Sequence, residues 1–274
     1  MSGDPPYNGT VNAAGSVRVC VLATGSAANS VLLEAGRTRL LVDAGLSAEA
    51  TVRRLQSARV EAGSLGAILL THEHDDHARG AGAVARLCGA PVLANEKTLR
   101  ACAFLSGAFH DRIDNARAFR IGEWTVEAVP VAHDAADPVG FVLSAYGVRV
   151  AIATDLGTVE DVFVERAAGA DVVLLEANYD LRLMGVSPYP WFVRNRILSR
   201  QGHLSNDAAA RAAVRLHTGS PQRVVLVHLS EVNNLAPLAR DTVAEALCRE
   251  GIRSVTVETV RPGDTADLTV VTGR

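Results

Sequence analysis

The amino-acid sequence predicts an α+β domain in which two packed β-sheets carry helices on their outer faces. Three observations lead there. Short β-rich runs follow one another early in the chain at intervals of about ten residues, punctuated by Gly25, Gly36 and Gly45, as in a meander of adjacent strands. Strands cluster at the start of each half, and helical periodicity follows or interleaves. No Pro- or Ser-rich linker and no short-period repeat divides the 274 residues, so one domain over 16–274 suffices. A doubly wound parallel sheet is the alternative, and the early meander argues against it.

In chain order, residues 1 to about 15 read as a flexible tail, rich in Gly, Pro, Asn and Ala without a period. Strands are predicted at 17–22, 30–33 and 39–42. A helix follows at 47–58, where Ala48, Val52 and Leu55 recur at helical spacing. Leu65–Leu70 reads as a fully buried strand, 79–88 as a helix and 91–94 as a strand. Further strands are predicted at 116–120, 124–131, 139–144, 148–153, 171–175, 224–227 and 255–257. Helices are predicted near 158–167, 206–217 and 236–250.

Composition narrows the class. Hydrophobic residues make up 48% and aromatics only 4%, so Ala, Val and Leu must fill thin, closely packed layers. The net charge of -3 gives no overall basic footprint for nucleic acid. Arg194, Arg196 and Arg200 leave a local basic patch open, beside the plainer reading of a solvated face. Cys20, Cys88, Cys102 and Cys248 show no C-x-x-C spacing, so neither a disulfide framework nor a zinc knuckle is indicated. The N-terminal residues lack a signal-peptide pattern and no apolar run could span a bilayer. The chain reads as cytoplasmic, with no membrane partner.

The chemistry concentrates in His72-Glu73-His74-Asp75-Asp76-His77, directly after a buried strand. Alternate residues of an extended segment project to one side, so His72 and His74 can grip one ion. A turn then lets Asp76 and His77 point to a neighbouring position. A polar loop capping the strand is the plainer reading, but three of the chain's eight histidines and two aspartates lie in this one run. Imidazole and carboxylate suit zinc, manganese or iron. Other ligands must arrive from later strand ends, where His133, Asp155 and His228 each terminate an apolar run.

In order, Asp43 after a strand, the H-x-H-x-D-H run, His133, Asp155 and His228 resemble the metallo-β-lactamase superfamily pattern, over about residues 17 to 230. The resemblance implies a four-layer αββα sandwich with the site at one edge of the sheets. It implies a first ion on His72, His74 and His133, a second on Asp76, His77 and His228, and Asp155 bridging both. Asp43 is then a buried carboxylate that supports catalysis by orienting the ligand loop. Two divalent ions can hold a bridging hydroxide near neutral pH, since a metal lowers the pKa of water from about 15.7 to about 7.

Gly25–Ser30, Glu176–Asp180, Gly202–Asn206 and His228–Asn234, with Tyr189-Pro190 and Arg196-Ile197, resemble the YycJ/WalJ subgroup. That implies nuclease activity, including 5′-to-3′ DNA exonuclease action. Ala28 stands where the subgroup usually has Gly, and Tyr179 where it usually has His. His203 reads as a proton donor to the leaving oxygen or a phosphate holder. The structural alternative is a histidine before a helix capped by Ser205 or Asn206. Ser26, Asn29, Asn178, Tyr179 and Asn233 are tentative substrate contacts, although Gly-Ser-Asn loops and Asn233-Asn234 are also ordinary turn sequences. His110 and His217 read as surface or helix-end residues.

The interval from Asp155 to His228 is too short for the large insert of the β-CASP nucleases, and no redox module follows. The leading expectation is a binuclear phosphodiesterase acting on nucleic acid. A small-molecule phosphodiester or thioester hydrolase is the alternative, and a metal-dependent sensor without turnover is a third. Oligomeric state is not legible.

Overall fold

The computed structural model describes residues 15–271, apart from 116 and 221. The expected tail therefore lies outside the described residues, except for Gly15. The first half comprises β1 (Ser16–Ala23), β2 (Ser30–Ala35), β3 (Thr38–Val42), α1 (Ala48–Ser57), β4 (Ala67–Leu69), α2 (Asp75–Ala78), α3 (Ala81–Cys88), β5 (Val92–Ala94), α4 (Glu96–Ala101) and β6 (His110–Arg112). The second begins with β7 (Phe119–Ile121), β8 (Trp124–Pro130), β9 (Val139–Ala145), β10 (Val148–Ala153), α5 (Asp161–Ala167) and β11 (Val172–Glu176). It continues with α6 (Leu181–Gly185), α7 (Trp191–Leu198), α8 (Asn206–Leu216), β12 (Gln222–Val227), α9 (Ala236–Arg249), β13 (Val255–Thr259) and β14 (Ala266–Val271).

Two seven-stranded sheets result, ordered β14-β1-β2-β3-β4-β5-β6 and β13-β12-β11-β10-β9-β8-β7. Each is mixed: hairpin-connected strands pair antiparallel, and β3 to β6 and β10 to β13 pair parallel. Strand alternation sorts the apolar residues into three layers of core. Val17, Val19 and Val21 of β1 face Trp124, Phe141 and Val150 between the sheets. Cys20 and Leu22, on the opposite face, pack with Leu55 of α1 and Val84 of α3. Ala151 and Ala153 of β10 pack with Phe163 of α5, Ala209 of α8 and Val243 of α9. The molecule is a four-layer αββα sandwich, and small residues let its layers approach closely.

The predicted strands and helices form with shifted ends. The helix expected at 79–88 is broken at Gly80, where a Cβ would lie 1.9 Å from the Leu46 carbonyl oxygen. Its first turn, α2, begins at Asp75 inside the histidine run. Elements α4, β6, α6, α7 and β14 were not anticipated. Strand β6 is wholly exposed and has no local apolar period, and β14 pairs with distant β1. The four cysteines are free, and among the described residues no helix is long and apolar enough to cross a membrane.

Candidate metal centre and cleft

The site gathers at the carboxyl ends of both sheets. Strand β3 delivers Asp43, β4 the histidine run, β8 His133, β10 Asp155 and β12 His228. Asp43, Asp155 and His228 all have left-handed backbones, with φ of 61°, 55° and 55°. A non-glycine residue there costs about 1–3 kcal/mol and persists only where its surroundings hold it. Here the surroundings are hydrogen bonds: Asp43 N donates to the Leu69 carbonyl at 2.8 Å, and His228 N to Thr24 Oγ1 at 2.7 Å. The sharp turn at each strand end aims the side chain across the sheet edge.

The histidine run is tied down by its backbone. Asn29 N donates to the Asp76 carbonyl, and Ala44 N to that of His77, each at 2.7 Å. Gly45 makes this approach possible, since a Cβ on it would stand 1.8 Å from the Asp76 oxygen.

Three groups of donors result, within each of which one ligand atom per residue lies within 4.8 Å of the others. They are His72, His74 and His133; Asp76, His77, Asp155 and His228; and Asp155, Glu176, His203 and His228. His74 Nδ1 lies 3.1 Å from His72 Nε2 and 3.3 Å from His133 Nε2. Nitrogens sharing one tetrahedral ion at about 2.1 Å stand about 3.4 Å apart, so this set fits a cation. His228 Nε2 is buried without a hydrogen-bond partner, 3.6 Å from both Asp76 Oδ2 and Asp155 Oδ1. A buried nitrogen so placed among carboxylates fits a second cation.

The outer nitrogens are oriented by the protein. Asp43 Oδ2 is 2.7 Å from His77 Nδ1, and Asp43 Oδ1 accepts from Thr71 N at 2.8 Å. His133 Nδ1 faces the Gly202 carbonyl at 3.0 Å, and His72 Nδ1 faces Thr71 Oγ1 at 2.9 Å. Burial and the neighbouring His77 push His72 well below the usual histidine range. Burial also pushes His77 and His228 down, but facing carboxylates, Asp155 foremost, override it, and His228 is lifted to about 10.

These groups floor a cleft of about 290 Å³, which Ser26, Asn178, Tyr189, Val193, Arg196 and Ile197 also line. Arg196 pairs with Asp134 at its rim, Nη2 to Oδ1 being 3.0 Å. The model of the Beta-lactamase superfamily domain matches residues 38–229.

The chain belongs to the metallo-β-lactamase superfamily.

Within it, the chain is 37% identical over 237 residues to exodeoxyribonuclease YycJ of Bacillus anthracis, covering 84% of this chain and 89% of that one. It is 35% identical to exodeoxyribonuclease WalJ of Streptococcus pneumoniae, covering 84% and 87%. The metallo-β-lactamase fold protein YhfI of Bacillus subtilis superposes with a TM-score of 0.70 at 18% identity, covering 91% of this chain and 99% of that one. This YycJ/WalJ-like metallo-β-lactamase-fold protein is a metal-dependent hydrolase.

Not every residue singled out in the sequence reaches the cleft of this superfamily member. Ser26, Asn178 and His203 line it. Asn29 is buried behind, its amide 3.1 Å from Asp76 Oδ2 and 2.9 Å from His77 Nε2. Tyr179 is buried and bridges to Ser205. Asn233 is fully buried against the turn that follows His228. These three, expected as substrate contacts, are buried and are not among the residues that line the cleft. Ser205, not Asn206, caps α8 by accepting from Ala208 N. His110 is exposed and His217 ends α8, as anticipated.

Glu176 was missed as a site residue. Fully buried at the end of β11, its Oε1 lies 2.6 Å from His203 Nδ1 and 3.1 Å from His228 Nδ1. Its Oε2 accepts from Leu156 N at 2.9 Å. The available signal was a carboxylate ending an apolar strand, as with the other strand-end residues.

Proposed function

We propose that the protein is a binuclear metal-dependent exodeoxyribonuclease, digesting DNA in the 5′-to-3′ direction expected of its subgroup. The observation that carries this is Asp155. Its Oδ2 lies 2.7 Å from His77 Nε2, and its Oδ1 lies 3.6 Å from His228 Nε2 and 3.9 Å from His133 Nε2. One carboxylate thus stands between two sets of donors. His72, His74 and His133 would hold one cation, Asp76, His77 and His228 the other, with Asp155 shared. Zinc or manganese suits the mixed nitrogen and oxygen donors, and iron is also compatible. When bound, such a pair supplies a nucleophile at neutral pH and neutralises charge developing on phosphate oxygens.

The chain's own groups do the rest. Asp43 and Thr71 fix the His77 ring, and Glu176 fixes both His203 and His228. With Nδ1 engaged by Glu176, His203 keeps Nε2 for the cleft and donates a proton to the leaving oxygen. Arg196 and Ser26 face the phosphate as donors from the cleft walls. The names of the 35–37% identical relatives support DNA as substrate. Four free thiols fit a cytoplasmic location, and the continuous cores fit one domain over 16–274.

The test is release of nucleotides from 5′-labelled linear duplex and single-stranded DNA with Mn²⁺ or Zn²⁺, beside an Asp76→Ala control. Metal-dependent digestion absent from the control supports the proposal. Failure to digest DNA, with a small bis-aryl phosphodiester still hydrolysed, replaces it with a small-molecule phosphodiesterase, which the net charge of -3 and compact cleft would suit.

A further inference from the structure

Helix α7 has no buried residue, although five of its eight residues, Trp191, Phe192, Val193, Ile197 and Leu198, are apolar. Trp191 and Phe192 are 69% and 61% exposed, their ring centroids 6.5 Å apart and their planes at 89°. An exposed pair of large aromatics beside a cleft is the kind of apolar patch that marks an interaction surface.

Two further observations say what covers it. The helix is continuous with the cleft: Val193, Arg196 and Ile197 line the cavity that holds His74, His133 and His203. At about 100° per residue, Phe192 stands roughly at right angles to that face, at the rim, and Trp191 lies on the outer side of the helix. The stretch 181–206 also contains four arginines and no acidic residue, in a chain of net charge -3. Arg196 pairs with Asp134, but among the described residues Arg182, Arg194 and Arg200 have no carboxylate partner. Arg194 Nε is buried and has no hydrogen-bond partner. Uncompensated guanidinium groups in the same stretch as exposed aromatic rings suit a polyanion carrying flat bases. Single-stranded nucleic acid is bound in this way, by stacking on aromatic faces beside a positive track for the backbone.

We infer that α7 is the arm that receives the single-stranded end of the DNA, with Phe192 and Trp191 stacking bases while Arg194 and Arg200 hold the backbone. This rests on the nuclease reading above and adds the surface that feeds the cleft. Bases contacted only by stacking make the arm tolerant of sequence. Because α7 sits at the cleft wall, a strand held there enters beside His203.

The test uses the full metal-loaded chain and a short single-stranded oligonucleotide with phosphorothioate linkages. Of the two tryptophans Trp124 is fully buried, so quenching of the exposed emission reports Trp191. We expect quenching by the oligonucleotide and little by an abasic strand of equal length. By anisotropy, Trp191→Ala and Phe192→Ala each weaken binding about tenfold, within the range for losing one stacked base. Leu87→Ala, exposed on α3 and outside the cleft lining, binds as the parent does. If DNA is digested but both variants bind like the parent, or the abasic strand binds equally well, the arm is contradicted and the nuclease reading stands. If sedimentation shows a dimer that either variant dissociates, a second copy of this chain covers the helix and the inference fails. If the parent hydrolyses a bis-aryl phosphodiester and neither binds nor digests DNA, both readings fall.

Discussion

Glu176 holds His203 through a 2.6 Å contact between Oε1 and the ring Nδ1, deep in the floor of the cleft. Burial alone would push His203 down, but the Glu176 carboxylate lifts it above its ordinary value. His203 therefore stays protonated to higher pH than a free histidine. If it gives its proton to the leaving oxygen, activity falls as pH rises through its pKa. Glu176→Gln keeps the shape and removes the charge, so the alkaline limb of the kcat profile moves to lower pH. His203→Ala lowers kcat by about 10²–10⁴-fold, the usual contribution of general acid catalysis. An alkaline limb that stays in place in Glu176→Gln assigns the proton to another group.

Asp43 does not line the cleft, yet its carboxylate faces His77 Nδ1 at 2.7 Å and accepts from Thr71 N. Asp43→Asn keeps the volume and weakens the acceptor. Cation affinity falls about 10- to 100-fold, as for other residues that orient metal-binding histidines. Competition with a chelator measures it, and circular dichroism checks that the fold persists. Parent-like affinity would leave Asp43 only a role in shaping its turn.

Gly45→Ala places a methyl group against the Asp76 carbonyl, where the Cβ would stand at 1.8 Å. Backbone cannot yield as a flexible side chain does, so the loop after β3 and the histidine run must separate. We predict a loss of about 1–3 kcal/mol in a denaturant titration, as for overpacking elsewhere, together with weaker cation binding. A variant as stable as the parent would show that this contact is looser than its geometry implies.

Much of this candidate site was legible in the sequence because its candidate ligands sit where apolar strands stop. His133, Asp155 and His228 each end such a run, and the histidine run follows another. Glu176 carries the same signal but acts through His203 and His228, 27 and 52 residues away, and no local spacing records those pairings. Asn29, Tyr179 and Asn233 looked like polar loop residues, and only the tertiary structure shows that they are buried. Helix α7 was invisible for the opposite reason: with no buried face, it has no apolar period to read. Strand β14 depends on β1 at the other end of the chain.

Cation binding and protonation compete at the same nitrogens. Burial disfavours charge on His228, but Asp155, Asp76 and Glu176 raise it to about 10, and carboxylates likewise raise His77. Without cations, His228 is therefore protonated at pH 7, and His77 is shifted toward its protonated form. Loading releases those protons, and apparent affinity rises with pH until His228 titrates. Calorimetry in buffers of different ionisation enthalpy should show net proton release at pH 7. Loading without proton release would mean that neither ring is a ligand.

The proposed binuclear centre requires Asp155 to join its two donor sets. Its most direct test is cation content per folded chain, by elemental analysis after dialysis, for the parent, His74→Ala and Asp155→Ala. We predict two cations in the parent and fewer in both variants, with DNA digestion lost in each. One cation or none in the saturated parent, or two retained in Asp155→Ala, would contradict it.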